Sequence, residues 1–159
     1  MASVAVHQDS PVGKDAPAFP YAGIYHASPV ERIRLIRQGV SARKVKHFIS
    51  ELHFDQQVMM DALNLKTATV NKKAVRDQPL SMEDGERVIG LARLVGQIEA
   101  MIEETDSAPD FDIAAWLSAW LREPLPALDN DRPIDLLDTM EGQALVSRTL
   151  MQIQGGAYA

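Results

Sequence analysis

An all-α fold is predicted by three features of the chain. Capping side chains recur just ahead of apolar runs, those runs step by three and four residues, and no stretch alternates apolar with polar as a strand would. The 159 residues suit one compact domain, or two small ones sharing a long helix.

Residues 1–27 hold Pro11, Pro17 and Pro20 among small and polar residues, without a helical period, and read as a flexible or extended arm. Phe19, Tyr21, Ile24 and Tyr25 give its end something to pack with. Ser28-Pro29-Val30-Glu31 is a capping box with proline at the first helical position, and Gly39 ends that helix. Ser41 caps a second helix, in which Val45, Phe48, Ile49 and Leu52 share a face. Asp55 caps a short third one carrying Val58, Met59, Ala62 and Leu63, and Asn64 follows where a left-handed residue is expected. Thr67 is expected to cap a fourth helix running to about Arg76 and stopped by Pro79.

Ser81-Met82-Glu83-Asp84 opens a long helix to about Glu104. Its Val88, Leu91, Val95, Ile98 and Ile102 form a narrow seam, suited equally to packing within the chain or to a dimer. Asp106 to Asp110 is a break, and Asp110 or Asp112 caps a helix holding Trp116, Leu117, Trp120 and Leu121; the two tryptophans, one turn apart, are expected in the core with one edge exposed. A proline-rich loop from Glu123 to Pro133 and a short turn from Ile134 to Asp138 precede Thr139, which caps a last helix ending near Gly155.

Composition removes several function classes. The absence of cysteine excludes disulfides, zinc fingers and thiol catalysis. No apolar run approaches the ~20 residues of a membrane span, and Met1 to Val6 leads straight into His7, Gln8 and Asp9 rather than a signal peptide, so a cytoplasmic protein is expected. His7, His26, His47 and His53 show no metal-ligand spacing, there is no glycine-rich phosphate loop, and no serine sits in a nucleophile elbow. Neither catalysis nor a cofactor is expected.

Charge is divided along the chain. Residues 28–76 carry ten Lys/Arg against four Asp/Glu, whereas residues 77–159 carry five against sixteen. A basic front half attracts phosphate and an acidic rear half repels it. Within the basic part, residues 56–73 fit a helix-turn-helix, with Asn64 in the turn and Leu63, Leu65 and Val70 facing inward. Met60 and Asn64 depart from the small residue and the glycine usual at those positions. Lys66, Thr67, Thr69, Asn71, Lys72, Lys73 and Arg76 are the candidate DNA contacts: short polar groups for base edges and cations for phosphate. One short reading helix binds weakly, so a homodimer on a two-fold operator is implied.

The rear half reads Trp116-Leu117, then Pro124-Leu125-Pro126-Ala127-Leu128, Arg132-Pro133, Leu136-Leu137, Thr139-Met140-Glu141-Gly142, Val146 and Gly156-Ala157-Tyr158. This spacing resembles the MbcA/ParS/Xre antitoxin family, closely over 116–159 and more loosely over the helix-turn-helix. The resemblance implies a non-catalytic, dimeric antitoxin that pairs with a RES/ParT-type toxin, an NAD-consuming or ADP-ribosylating enzyme. It further implies that the C-terminal region covers the toxin's active site and that the helix-turn-helix represses the shared operon. Carried onto this chain, Gly155, Gly156, Ala157, Tyr158 and Ala159 would form the plug, with Trp120, Arg132, Arg148, Gln152 and Gln154 as further toxin contacts. From the residues alone, that tail has a hinge, an aromatic anchor and a terminal carboxylate, though chain ends commonly fray.

The expected organisation is an arm (1–27), a DNA-binding and dimerisation region (28–80), a connecting helix (81–104) and a toxin-binding domain (105–159). Two rival readings remain. One is a stand-alone regulator whose rear half senses a ligand or only dimerises; the other is a scaffold with an incidental helical hairpin.

Overall fold

A computed structural model of the chain describes residues 16–105 and 110–155. Among these residues, eight α-helices carry the architecture: α1 (Tyr21–His26), α2 (Pro29–Gln38), α3 (Ala42–Glu51), α4 (Gln56–Ala62), α5 (Thr67–Val75), α6 (Met82–Glu104), α7 (Ile113–Leu121) and α8 (Met140–Gln154). Two 3₁₀ turns, Pro126–Leu128 and Pro133–Leu136, lie between α7 and α8. Among the described residues the only β pairing is an isolated bridge between Ser41 and Pro79, so the fold is all-α.

The expected caps are nearly all made. Ser28 and Glu31 close a reciprocal capping box. The side chains of Ser41, Asp55, Ser81, Asp112 and Thr139 each accept a backbone N–H in the first turn of their helix. Each satisfies a donor that the helix itself leaves open, worth about 1 kcal/mol. Gly39 ends α2 at φ +96° and Asn64 follows α4 at φ +52°, both in the left-handed half of the map.

Thr67 corrects one expectation. The N-cap of α5 is Lys66, without a side-chain cap, and Thr67 lies inside the helix. Its hydroxyl donates to Gln57 Oε1 at 3.1 Å and so cross-links the two helices instead of capping its own.

The arm is corrected too, over the part that the structure describes. Tyr21–His26 is helical, and Ala18, Phe19, Tyr21 and Ile24 are buried. Glu51 on α3 is the clasp: it accepts from the Ala18 backbone N–H (2.9 Å) and the Tyr21 hydroxyl and faces His47 Nε2 at 3.1 Å. Phe19 meets Phe48 edge-to-face and Tyr21 lies tilted against it, with ring centroids 5.4 and 5.3 Å away. Residues 1–15 lie outside the described part.

Helix α6 is the axis of the molecule. The seam expected along it is buried within the chain at Val88, Leu91, Val95 and Ile98, but the buried surface is far wider, adding Ile89, Ala92, Leu94, Gly96, Gln97 and Ala100. Full burial of each large aliphatic side chain contributes about 1.5–3 kcal/mol, so a helix covered on several sides anchors everything that packs on it. α1, α2, α7 and α8 all pack on α6. Two glycines permit the closest approaches: a Cβ at Gly96 would stand 2.0 Å from the Tyr21 carbonyl oxygen, and one at Gly90 would stand 1.7 Å from Gln143 Oε1.

Two expected outcomes follow from this packing. Gly96→Ala forces α1 off α6 and costs about 1–3 kcal/mol of unfolding free energy in urea titration; an unchanged midpoint contradicts the close contact. The second concerns Glu99, whose carboxyl is pushed above its ordinary range by burial, opposed by the Ala22 backbone hydrogen bond and reinforced by Glu103. A carboxyl raised on folding contributes its full stability below the unfolded value and loses it as pH rises through the folded one. Glu99→Gln is therefore at least as stable as the parent at pH 7.5, with the two converging near pH 4; a parent more stable at neutral pH contradicts this.

Candidate functional site

α4 and α5 form the helix-turn-helix. Leu63, Leu65 and Val70 are buried as the motif requires, with Ala74 beside them. Gln56 Nε2 donates to the Lys46 carbonyl (2.9 Å) and to Ser50 Oγ (3.1 Å), holding the start of α4 on α3. The turn is clamped by a residue that the sequence did not single out. Arg87 on α6 donates from Nε to the Leu63 carbonyl (2.7 Å) and from a terminal nitrogen to the Asn64 carbonyl (3.2 Å), while Asp84 holds the same guanidinium at 2.5 Å. Those carbonyls end α4 and would otherwise lack partners. At the far end of α5, Arg43 Nε donates to the Ala74 carbonyl at 2.8 Å.

The outward face of α5 gathers most of the predicted DNA contacts. Lys66, Thr69, Asn71, Lys72 and Arg76 are exposed, and Lys73 is half-buried. Among the described residues, none of the four cations Lys66, Lys72, Lys73 and Arg76 forms an ion pair. Thr67 is half-buried and committed to Gln57. The sequence reading missed Ala68 and Val75, which lie on the same face, with Val75 81% exposed. Apolar side chains on a reading helix suit a thymine methyl group. An exposed valine breaking the inward pattern was the available signal.

In the rear half the predicted toxin contacts scatter. Trp120 is 6% exposed and stacks on Trp116 at 5.8 Å, so its ring lies in the module's core with only an edge at the surface, as expected. Arg132 is exposed but tied to Asp135 by two hydrogen bonds of 3.0 and 2.9 Å. That hydrogen-bonded guanidinium, outweighing some desolvation, holds the Asp135 carboxyl below its usual range. Arg148, Gln152 and Gln154 are exposed on α8, and Gln154 Nε2 donates to Glu104 on α6. Gly155 ends α8 at an ordinary φ of −72°. Gly156, Ala157, Tyr158 and Ala159 lie outside the described residues.

The halves are joined by buried amides. Gln143 on α8 is 4% exposed and donates from Nε2 to the carbonyls of Arg87 and Leu137, both at 3.0 Å. Gln97 on α6 donates to the Ser147 carbonyl at 3.0 Å, and the Ser147 hydroxyl donates back to Gln97 Oε1 at 2.7 Å. On the other side of the module, the Arg122 guanidinium stacks over Phe54 at 4.2 Å, tying α7 to the loop before α4.

An exposed, cationic helix on a helix-turn-helix, sharing one long helix with a second helical module, defines a protein of the helix-turn-helix DNA-binding type with an added helical module. Comparison with known proteins makes the class specific. Residues 31–93 match the antitoxin Xre-like helix-turn-helix domain, and residues 111–156 match the antitoxin Xre/MbcA/ParS C-terminal toxin-binding domain. A Sphingobium protein named Prs ADP-ribosylating antitoxin is 64% identical over 147 residues, 92% of each chain. Antitoxin Xre of Pseudomonas putida is 27% identical over 88 residues, covering 55% of this chain and 50% of its own. The chain therefore belongs to the Xre/MbcA/ParS antitoxin family.

Removing the clamp tests the site's construction. Arg87→Ala leaves the carbonyls ending α4 without their charged donor and lowers unfolding free energy by about 2 kcal/mol, read by denaturant titration; an unaltered free energy shows that solvent serves those carbonyls equally well.

Proposed function

We propose that this chain neutralises a RES/ParT-type toxin with its C-terminal module and represses the operon encoding both, binding the operator as a homodimer through α5. The observation that carries the DNA half is the unpaired cationic face of α5, with four cations and no acid set against them among the described residues. Lys66, Lys72, Lys73 and Arg76 would neutralise phosphates, while Thr69, Asn71, Ala68 and Val75 reach base edges. The first-turn N–H groups of α5, uncapped by any side chain, add donors for a phosphate oxygen.

The toxin half rests on the family and on the order of the elements. The sequence after α8 is Gly155-Gly156-Ala157-Tyr158-Ala159, and in this reading that segment enters the toxin's NAD site and excludes substrate. The Sphingobium relative's name joins antitoxin to ADP-ribosylation, which favours a toxin that transfers ADP-ribose over one that only hydrolyses NAD.

The two halves separate under mutation. Lys72→Glu with Lys73→Glu weakens binding to the chain's own promoter DNA at least about 30-fold at 0.15 M salt, read by fluorescence anisotropy, and leaves neutralisation intact. Deleting Gly155 to Ala159 restores NAD turnover by the co-purified toxin while the operator affinity stays at the parent value. Unchanged DNA affinity in the first variant removes the assignment of α5. A toxin still silent beside the second removes the plug.

A further inference from the structure

The five basic residues of 77–159 sit among sixteen acids, and most have an evident occupation. Arg87 clamps the turn and pairs with Asp84, Arg122 is bonded to Ser118 and stacked on Phe54, and Arg132 is paired with Asp135. Arg93 and Arg148 remain, and among the described residues neither has an acidic partner. Both line the same groove, about 340 Å³, between α6 and α8. Arg93 also stands near Arg32, whose guanidinium is held below the usual arginine range by burial first and by the Arg93 charge second. Arg93 and Arg148 thus place positive charge in the acidic half of the chain with no ion pair to either among the described residues.

Apolar surface runs through the same place. Met140, Ala144, Arg148 and Met151 step along α8 by four, four and three, so they share one face. Met140 is 43% and Met151 57% exposed, Ala144 and Arg148 are exposed, and Leu94 floors the groove. Two exposed methionines on one helix face make an adaptable apolar surface, and an arginine between them supplies direction. This face leads down α8 to Gly155, where the proposed plug begins.

We propose that the α6–α8 groove is the docking surface for the toxin, with Arg93 and Arg148 receiving an Asp or Glu carboxylate and Met140 and Met151 covering the apolar side chains beside it. The proposal rests on the antitoxin reading and deepens it. It extends the toxin contact beyond the matched toxin-binding domain (111–156), because Arg93 belongs to α6 and to the helix-turn-helix match. Charge favours a protein carboxylate over DNA here: residues 77–159 carry sixteen acids against five basic residues, a balance that repels a duplex, whereas the groove itself is lined by two guanidinium groups and no acid. Docking by the groove and occlusion by the tail are then separate tasks of one helix.

The test uses the full chain and the toxin with which it co-purifies. Arg93→Glu, Arg148→Glu, their combination and Met140→Ala with Met151→Ala are measured for toxin affinity by calorimetry, for promoter DNA affinity and for melting temperature. The double charge reversal weakens the toxin complex by about 100-fold or more, and Arg93→Glu alone by about tenfold. The methionine pair weakens it with little change in salt dependence. DNA affinity and melting temperature stay at the parent values throughout. Arg93→Glu that binds toxin within twofold of the parent overturns the groove as docking surface, and so does a variant that keeps the toxin but loses DNA, since that assigns the arginines to phosphate. A parent chain that binds no toxin removes the antitoxin reading and the groove together; a parent that binds while all the variants bind equally removes the groove only.

Discussion

Burial of α6 on several sides at once is the constraint from which the rest of the structure follows. A helix whose residues Val88, Leu91, Val95 and Ile98 are all enclosed within the chain cannot also serve as a free spacer between two domains. α1 closes over one flank through the contact at Gly96, and α8 closes over another through Gly90 and the paired amides Gln143 and Gln97. Gln97 is bonded at both ends of its amide to Ser147, and Gln143 donates twice while its Oε1 is buried without a partner; displacing either amide would forfeit these bonds, so they favour one register between α6 and α8. The helix-turn-helix is fixed to the same axis, because Arg87, whose carbonyl receives Gln143, also clamps the turn after α4.

A rigid joint suits the division of charge. The basic face of α5 and the acidic rear half are held apart on one body, so the field that draws in nucleic acid is not cancelled by a flexible acidic segment folding back over it. The same joint means that a partner seated on α8 rests on an element bonded to Arg87, the residue whose side chain holds the turn before the reading helix. In the proposed function, operator and toxin therefore meet a shared scaffold.

Most of the fold was legible because its signals are local. A cap such as Ser28 with Glu31, or a left-handed stop such as Asn64, is written within four residues of where it acts. The misses are of another kind. α1 is six residues long, follows two prolines and is held by Glu51 thirty residues away from Tyr21, so no periodic pattern announces it. Thr67 carries the right residue type for a cap, and only the position of Gln57 across the turn diverts its hydroxyl. The candidate site divides likewise. The cations of α5 were readable from composition and order, whereas Arg87 and the pairing of Arg93 with Arg148 require knowing which faces of α6 and α8 meet. Trp116 and Trp120, one turn apart, were legible as core residues, and their stacked rings lie there.

Native-state hydrogen exchange along α6 tests the single-body account most directly. If α6 binds the two halves into one unit, the amides of Leu91 to Ile98, those of α4 and those of α8 from Val146 to Leu150 exchange with the same opening free energy, equal to that of global unfolding. Amides of α8 that open at a much lower free energy than those of α4 would show two separable domains and contradict it.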